Sequence, residues 1–471
     1  MATRYGDGAM HSASEHPLVL VSNRGPVSFH RDESGALVSR RGAGGLVSGI
    51  GPLVVGTDAT WLAAAMSEPD RAAAAAGIVE ADGFRVHLLA VDAETYRLAY
   101  DVVSNEVLWF AHHGLWDLTR QPAFDSSWDE AWDAYRSVNH AFADAVAADA
   151  PEGAIVLVQD YHLALVAARL AGVRRDLVCV HFSHTPFAPP VWLEALPDAT
   201  VDELLQGMAA HRACGFHTQR WADEFRTSAR DLAGVDPATF VSPLASDPDD
   251  IRAAAASPAC AAALDALEST VGDRAVIGRV DRIELSKNLI RGFQAYGDLL
   301  ARHPEHRERV VFVAGAYPSR QGVPGYADYR ADVEATVAEV NERFGTPGWT
   351  PIILDVDDDF PRSVALLRRA DVLLVNPIRD GLNLVASEGA LVNDRDAVLA
   401  LSPEAGAWER LHPAALRIPP FDIAGTAEVL HAALTMPSEE RKARAATLRL
   451  LAEARTPRHW LADQIAAAGL A

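Results

Sequence analysis

The feature that most restricts how this chain can fold is an alternation that occurs twice: a short apolar run, a polar loop, then a segment with helical spacing. In the first half, Ala154–Val158 runs into Gln159-Asp160-Tyr161-His162 and a helical pattern over Leu163–Leu170, and Leu177–Val180 opens into His181-Phe182-Ser183-His184. In the second half, Ala275-Val276-Ile277 leads into Gly278–Asn288 and the helical spacing of Leu289–Tyr296. Runs at Arg309–Ala314, Pro351–Leu354 and Val372–Val375 follow, with helical segments between them. Such alternation builds parallel sheets covered by helices, so the expected class is α/β, with two parallel-sheet domains facing each other across a cleft. A length of 471 residues also exceeds what one core usually organises. The expected division is a disordered lead over 1–16, an N-terminal domain over 17–255, a C-terminal domain over 256–455 and a helix over 456–471 that packs back on the first domain. Adjacent His112 and His113, placed on a strand, would point to opposite faces and share no metal.

Composition narrows the partners. A formal net charge of -22 argues against nucleic acid, whose binding depends on clustered Lys and Arg. A few arginines converging locally can still hold a small phosphorylated ligand. No apolar stretch reaches the ~20 residues of a membrane span, and no basic segment precedes a long apolar run, so a cytoplasmic protein without membrane contact is expected. Cys179, Cys214 and Cys260 lack metal-ligand or redox spacing and read as free thiols. A homodimer is compatible with this reading.

Polar groups collect where the apolar runs end, which is where parallel sheets place their chemistry. Arg282 and Lys287 stand five residues apart just before a helix start, a position that favours an anion. Lys287 is one of only two lysines, the other being Lys442. A phosphate is one guest for this pair; a solvated surface pair with Glu284 is the equally open alternative. Arg41–Val47, with Gly42, Gly44 and Gly45, lacks dinucleotide-fingerprint spacing and reads as a turn or a phosphate loop. Arg320, Asp380, Asn383 and Glu388 follow later apolar runs, and Arg24, Asp160 and His184 follow earlier ones. Two cations, a helix start and a carboxylate able to accept both hydroxyls of a ribose describe a nucleotide-diphosphate site.

These residues resemble the trehalose-6-phosphate synthase family, retaining nucleotide-sugar transferases of the two-Rossmann (GT-B) architecture. Val21-Ser22-Asn23-Arg24, Gly44-Gly45-Leu46, Ser104-Asn105 with Leu108-Trp109, Asp160-Tyr161-His162-Leu163, Gly215-Phe216-His217-Thr218, Asp281-Arg282 with Ser286-Lys287, and Arg379-Asp380-Gly381 with Asn383-Leu384-Val385 occur in the family's order. The resemblance implies that Arg282 and Lys287 hold the donor diphosphate and Glu388 the ribose. Asp380 and His184 would hold the donor ring, with the amides at Gly45 and around Asn383 and Leu384 assisting and Gly44 and Asn288 also among the donor-binding residues. Arg24, Tyr100, Trp109 and Arg320 would bind the phosphate of a phosphorylated acceptor, and Asp160 its reactive end. It further implies attack on the face from which the leaving group departs, with no enzymic nucleophile, no metal and no cofactor, the nucleotide-linked donor being a substrate.

Three departures fall around the ligands: Asn288 where the family has Gly, Gln159 where it has His, and Ser183-His184-Thr185-Pro186-Phe187-Ala188 in place of Leu-His-Ile-Pro-Phe-Pro. They are similar to the pseudo-glycosyltransferase branch that makes validoxylamine A 7'-phosphate, joining GDP-valienol to validamine 7-phosphate through a C–N bond in aminocyclitol antibiotic biosynthesis. On the resemblance, that branch with a GDP-linked donor is the first expectation. An ordinary trehalose-6-phosphate synthase is the alternative, and a non-catalytic sugar-phosphate or nucleotide sensor is the reading from another class.

Overall fold

A computed structural model describes residues 16–42, 45–319 and 324–470. Gly44, Arg320 and residues 1–15 of the expected lead lie outside them. The chain forms two compact units, one of residues up to Leu244 together with Pro457 onward, the other Ala245–Thr456. The first boundary falls before the expected 255/256 because the helix Pro248–Ala255 packs on the helices Phe360–Arg369 and Val385–Val392 of the second unit.

The first unit contains β1 (Leu18–Val21), β2 (Val27–Arg31), β3 (Leu37–Arg41), β4 (Thr60–Ala64), β5 (Ile78–Ala81), β6 (Phe84–Leu89), β7 (Ile155–Gln159), β8 (Val178–Phe182), β9 (Ala213–Phe216) and β10 (Thr239–Val241). Eight form one sheet in the order β10-β9-β8-β7-β1-β4-β6-β5, and β2-β3 form a separate hairpin. All neighbours in the large sheet are parallel except β5, which returns on β6 through Asp82-Gly83, both at positive φ, as a two-residue hairpin requires. From β1 the chain builds outward through β4 and β6, then resumes on the other side with β7, β8, β9 and β10. The order therefore reverses between β1 and β7, and ligands of open parallel sheets bind beyond the carboxyl ends of strands at such a reversal. The residues that follow there are Ser22–Arg24 and Asp160.

The second unit contains β11 (Ala275–Ile283), β12 (Val310–Pro318), β13 (Ile352–Asp355), β14 (Val372–Val375), β15 (Val398–Leu401) and β16 (Leu416–Arg417), ordered β13-β12-β11-β14-β15-β16 and all parallel. Counted within the unit this is 3-2-1-4-5-6, the mononucleotide-pair order, reversing between β11 and β14. Alternate residues pack into different apolar clusters: Val276, Val280, Leu373 and Val375 in one, Ile277, Ile283, Val372 and Leu374 in the other. A sheet buried on both faces explains why these strands read as continuous apolar runs.

Several elements differ from the sequence expectation. β11 does not end at Ile277 but continues to Ile283, because β12 pairs with it over nine residues. The pair His112-His113 is helical (Trp109–His113), directly after a π-helix over Leu98–Leu108. Near the C-terminus, the helix Ser438–Glu453 packs on Val385–Val392 within the second unit, while Pro457–Ala467 belongs to the first and packs against β8 and the helix Gly45–Val54.

Candidate active site

The charged end of β11 is internally paired. Arg279, with a fully buried side chain, contacts Asp281 at 3.0 Å, donates to Asn376 Oδ1 at 2.6 Å and reaches the Lys287 carbonyl oxygen. Gly292 makes room for it, since a Cβ there would lie 2.9 Å from the guanidinium. Lys287 Nζ sits 2.5 Å from Asp380 and 3.8 Å from Asp281. Burial disfavours the ammonium charge, but Asp380, Asp281 and Glu284 outweigh it and hold its pKa above the ordinary value. For Asp281, burial pushes the carboxyl pKa up against the pull of Arg279 and Lys287.

Arg282 pairs with Glu284 at 2.8 Å and approaches Ser319 Oγ at 3.5 Å. This is the pairing that the sequence left open as surface decoration, but Glu284 is completely buried while Arg282 remains 39% exposed. A buried carboxylate therefore aims an arginine that solvent and ligands can still reach. Beyond it the turn Leu285–Lys287 closes on Asn288, whose φ of 61° and ψ of 41° are left-handed. Its side-chain amide donates to the carbonyls of Asn376 (3.0 Å) and Pro420 (2.7 Å), and its oxygen accepts from Arg291 (2.9 Å). Asparagine is the side chain that best tolerates a backbone conformation otherwise reserved for glycine. Replacing the family's glycine here keeps the turn and directs the new side chain inward, so this departure gives no support to a changed donor.

The loop after β14 is clamped from behind. Asp380 N donates to Glu404 O at 2.9 Å and Ala407 N to Leu382 O at 2.7 Å, and a Cβ on Gly406 would stand 2.0 Å from Gly381 O. Asn383, at φ 73°, donates to Asp380 Oδ2 (3.2 Å) and accepts from Ala386 N (3.3 Å). It thereby caps the helix Val385–Val392, with Leu384 at the preceding position. First-turn amides of a helix have no intrahelical acceptor and suit an anion. Glu388 lies one turn in, receives Ser246 Oγ at 3.1 Å, and has its carboxyl pKa raised by burial against that hydrogen bond. Thus Arg282 at the end of β11, and Lys287, Asn288, Asp380, Asn383, Leu384 and Glu388 on the two loops that flank the β11/β14 reversal or on the helices those loops begin, lie at the same end of the sheet.

The first unit supplies different chemistry. Arg24, after β1, donates to Tyr100 Oη at 3.3 Å. Tyr100 is stacked between Tyr96 and His162, with ring centroids 5.5 and 5.6 Å away. Trp109 stacks on His113 and tilts against Tyr161, and Gly45 opens the helix Gly45–Val54. Asp160 occupies φ 72°, ψ 167°, a region nearly confined to glycine and worth about 1–3 kcal/mol of strain. Its Oδ1 accepts from the amides of Tyr161 and His184, both at 3.1 Å, so the side chain holds the conformation that the backbone resists. The His184 ring contacts Gln159 Oε1 at 3.1 Å, and Gln159 in turn donates to Gln464 Oε1 at 3.0 Å from the C-terminal helix. Burial lowers the His184 pKa to about 4, leaving a neutral imidazole at neutral pH.

The profile of glycosyltransferase family 20 matches residues 16–468. The chain belongs to glycosyltransferase family 20. Trehalose-6-phosphate synthase of Mycobacterium sp. (strain KMS) is 32% identical over 469 residues, covering 94% of this chain and 93% of that one. Among solved structures, trehalose-6-phosphate from E. coli bound with UDP-2-fluoro glucose is similar at a TM-score of 0.83 and 29% identity, covering 95% and 99% of the two chains. An alpha,alpha-trehalose-phosphate synthase (UDP-forming) from Burkholderia xenovorans in complex with glucose-6-phosphate gives 0.81 and 28%, covering 95% and 98%. This family 20 enzyme therefore has the GT-B class of fold expected from the sequence. Among the described residues no helix is long and apolar enough to cross a membrane. The sequence reading overlooked Arg279, Asn376, Ser246 and Gln464. Opposite charges two residues apart, as in Arg279-Val280-Asp281, share one face of a strand and were the available signal for the first; the others act across long sequence separations.

Proposed function

We propose that the chain transfers a glucosyl group from a nucleoside-diphosphate glucose to glucose 6-phosphate with retention of configuration, giving trehalose 6-phosphate and the nucleoside diphosphate. The observation that carries this reading is Lys287 paired with Asp380 and Asp281, beside the partly exposed Arg282, at the β11/β14 reversal. The relatives reported above are described as trehalose-phosphate synthases, and this places the glucosyl reading ahead of the cyclitol branch. In the reaction the bond from the sugar's anomeric carbon to the β-phosphate oxygen breaks and a bond to the acceptor hydroxyl oxygen forms on the same face. The acceptor's proton passes to the departing phosphate oxygen. Arg282 and Lys287 neutralise the charge that grows on that oxygen, the term expected to dominate where fixed charges meet a leaving group. Helix-start amides near Asn383 and Leu384 support the donor, Asp380 and neutral His184 orient its ring hydroxyls, and Glu388 accepts from the ribose. Arg24, with Tyr100 and Trp109, holds the acceptor phosphate, and Asp160 its reactive hydroxyl. No cofactor is required in this scheme.

The cyclitol reading stays as a second one because Gln159, in place of the family's His, is a hydrogen-bond partner of His184. The test is product analysis by mass spectrometry. The protein is incubated with UDP-glucose or GDP-glucose plus glucose 6-phosphate and, in parallel, with GDP-valienol plus validamine 7-phosphate. Trehalose 6-phosphate is expected from the first mixture. Product from the second alone overturns the glucosyl reading, and tight nucleotide binding with no product from either favours a sensor.

A further inference from the structure

The helix Leu289–Arg302 that starts beside Lys287 ends at His303 near the opposite end of the strands, where β12 begins. Fourteen residues at ~1.5 Å each separate its ends by about 21 Å. There the turn His303-Pro304-Glu305-His306 meets Glu428 and His431 of the helix Ile423–Thr435. One donor atom from each of His303, Glu305 and His431 lies within 4.8 Å of the other two.

His303 is held between two carboxylates. Its Nε2 faces Glu428 at 3.3 Å and its Nδ1 faces Glu305 Oε1 at 3.5 Å, while Arg302 fixes Glu428 at 3.1 Å. A carboxylate that accepts one ring N–H sets the tautomer and presents the other nitrogen as a lone pair, the usual support of a metal-ligating histidine. Two N/O donors on a tetrahedral ion at ~2.1 Å stand about 3.4 Å apart, close to the Nδ1–Oε1 separation. On the far side, His306 Nε2 and His431 Nδ1 are 2.9 Å apart, which orients the His431 ring; burial and then His431 itself lower the His306 pKa. The rings of His303 and His431 are stacked, with centroids 3.7 Å apart and planes at 11°. A shared ion requires one of them to tilt, and the histidine χ2 torsion is broad enough to allow it. Glu305 is half exposed, so an ion has access from solvent.

We propose that His303, Glu305 and His431 form a divalent transition-metal site, with water completing the shell. Two imidazoles and one carboxylate select zinc, nickel, cobalt or copper over magnesium and calcium. The site joins the turn after one helix to a second helix, and none of its ligands belongs to the transfer chemistry, so its effect is on stability. An ion that binds only the folded chain raises the melting temperature.

The test uses full-length protein stripped with a chelator and then titrated with zinc or magnesium, read by calorimetry, metal analysis and melting temperature. One zinc per chain and a raised melting temperature are expected, with no response to magnesium. Glu305→Gln and His431→Ala should each weaken zinc binding at least tenfold, while His412→Ala, whose ring bonds the Trp408 and Glu409 carbonyls and lies against the Trp408 ring, should not. Retained transferase activity in Glu305→Gln shows that the fold is intact. Failure of the stripped wild type to bind zinc overturns the proposal, as does wild-type affinity in both ligand variants.

Discussion

The two units prepare their loops in different ways. In the second, the charges are paired before any ligand arrives: Arg279 with Asp281, Lys287 with Asp380, Arg282 with buried Glu284. In the first, one exposed arginine rests on stacked tyrosines, and the principal carboxylate is held in a strained backbone. Under the proposed reaction this contrast has a physical reason. A departing diphosphate gains charge during the step, and only charges already fixed in place stabilise that gain without reorganising. An acceptor phosphate keeps its charge throughout, so holding it contributes to binding more than to turnover.

The largest expected effect comes from Lys287→Ala. It should lower kcat about 10²–10³-fold and also destabilise the fold by about 3–5 kcal/mol, because Asp281 and Asp380 lose a partly buried partner. Steady-state kinetics and denaturant unfolding check both, and a kcat within tenfold of wild type breaks the comparison. Next, Arg24→Ala should raise the acceptor KM about tenfold or more while leaving kcat within about threefold, the signature of lost uniform binding. A fall in kcat equal to that of Lys287→Ala would erase the distinction between the units. Third, Asp160→Gly should be more stable than Asp160→Ala by about 1–2 kcal/mol, since only glycine relaxes at positive φ, although both lose activity. Equal melting temperatures for the pair would show that the backbone stores no strain there. The smallest effect on chemistry is expected from Asn288→Gly, which keeps the left-handed turn: donor preference between UDP- and GDP-glucose should stay within about twofold of wild type. A switch of donor in that variant would restore Asn288 as a specificity residue.

The sheet frame was legible because both faces of the central parallel strands are buried, which leaves apolar runs such as Val372–Val375 unmistakable. The charges Arg282, Lys287 and Asp380 were legible from their places at or just after strand ends. What could not be read was pairing over distance. Gln464 reaches Gln159 across 305 residues, and the local pattern of Trp460–Ile465 contains nothing that names its partner. The end of β11 was misplaced for a related reason: Arg279 and Asp281 look like loop residues until each is known to neutralise the other inside the sheet. The helical state of His112 and His113 depends on the preceding π-helix, which has no sequence period of its own to announce it.

The return of Pro457–Ala467 to the first unit has a consequence for synthesis. Leu461, Ile465 and Ala468 pack in one cluster with Ile155, Leu157 and Val180 of β7 and β8. On the ribosome, that side of the first sheet therefore waits uncovered while the whole second unit emerges, and it closes only when the chain has grown past Ala468. The unit made first is the unit finished last, and a stop codon placed just before Pro457 would injure the amino-terminal half of the molecule.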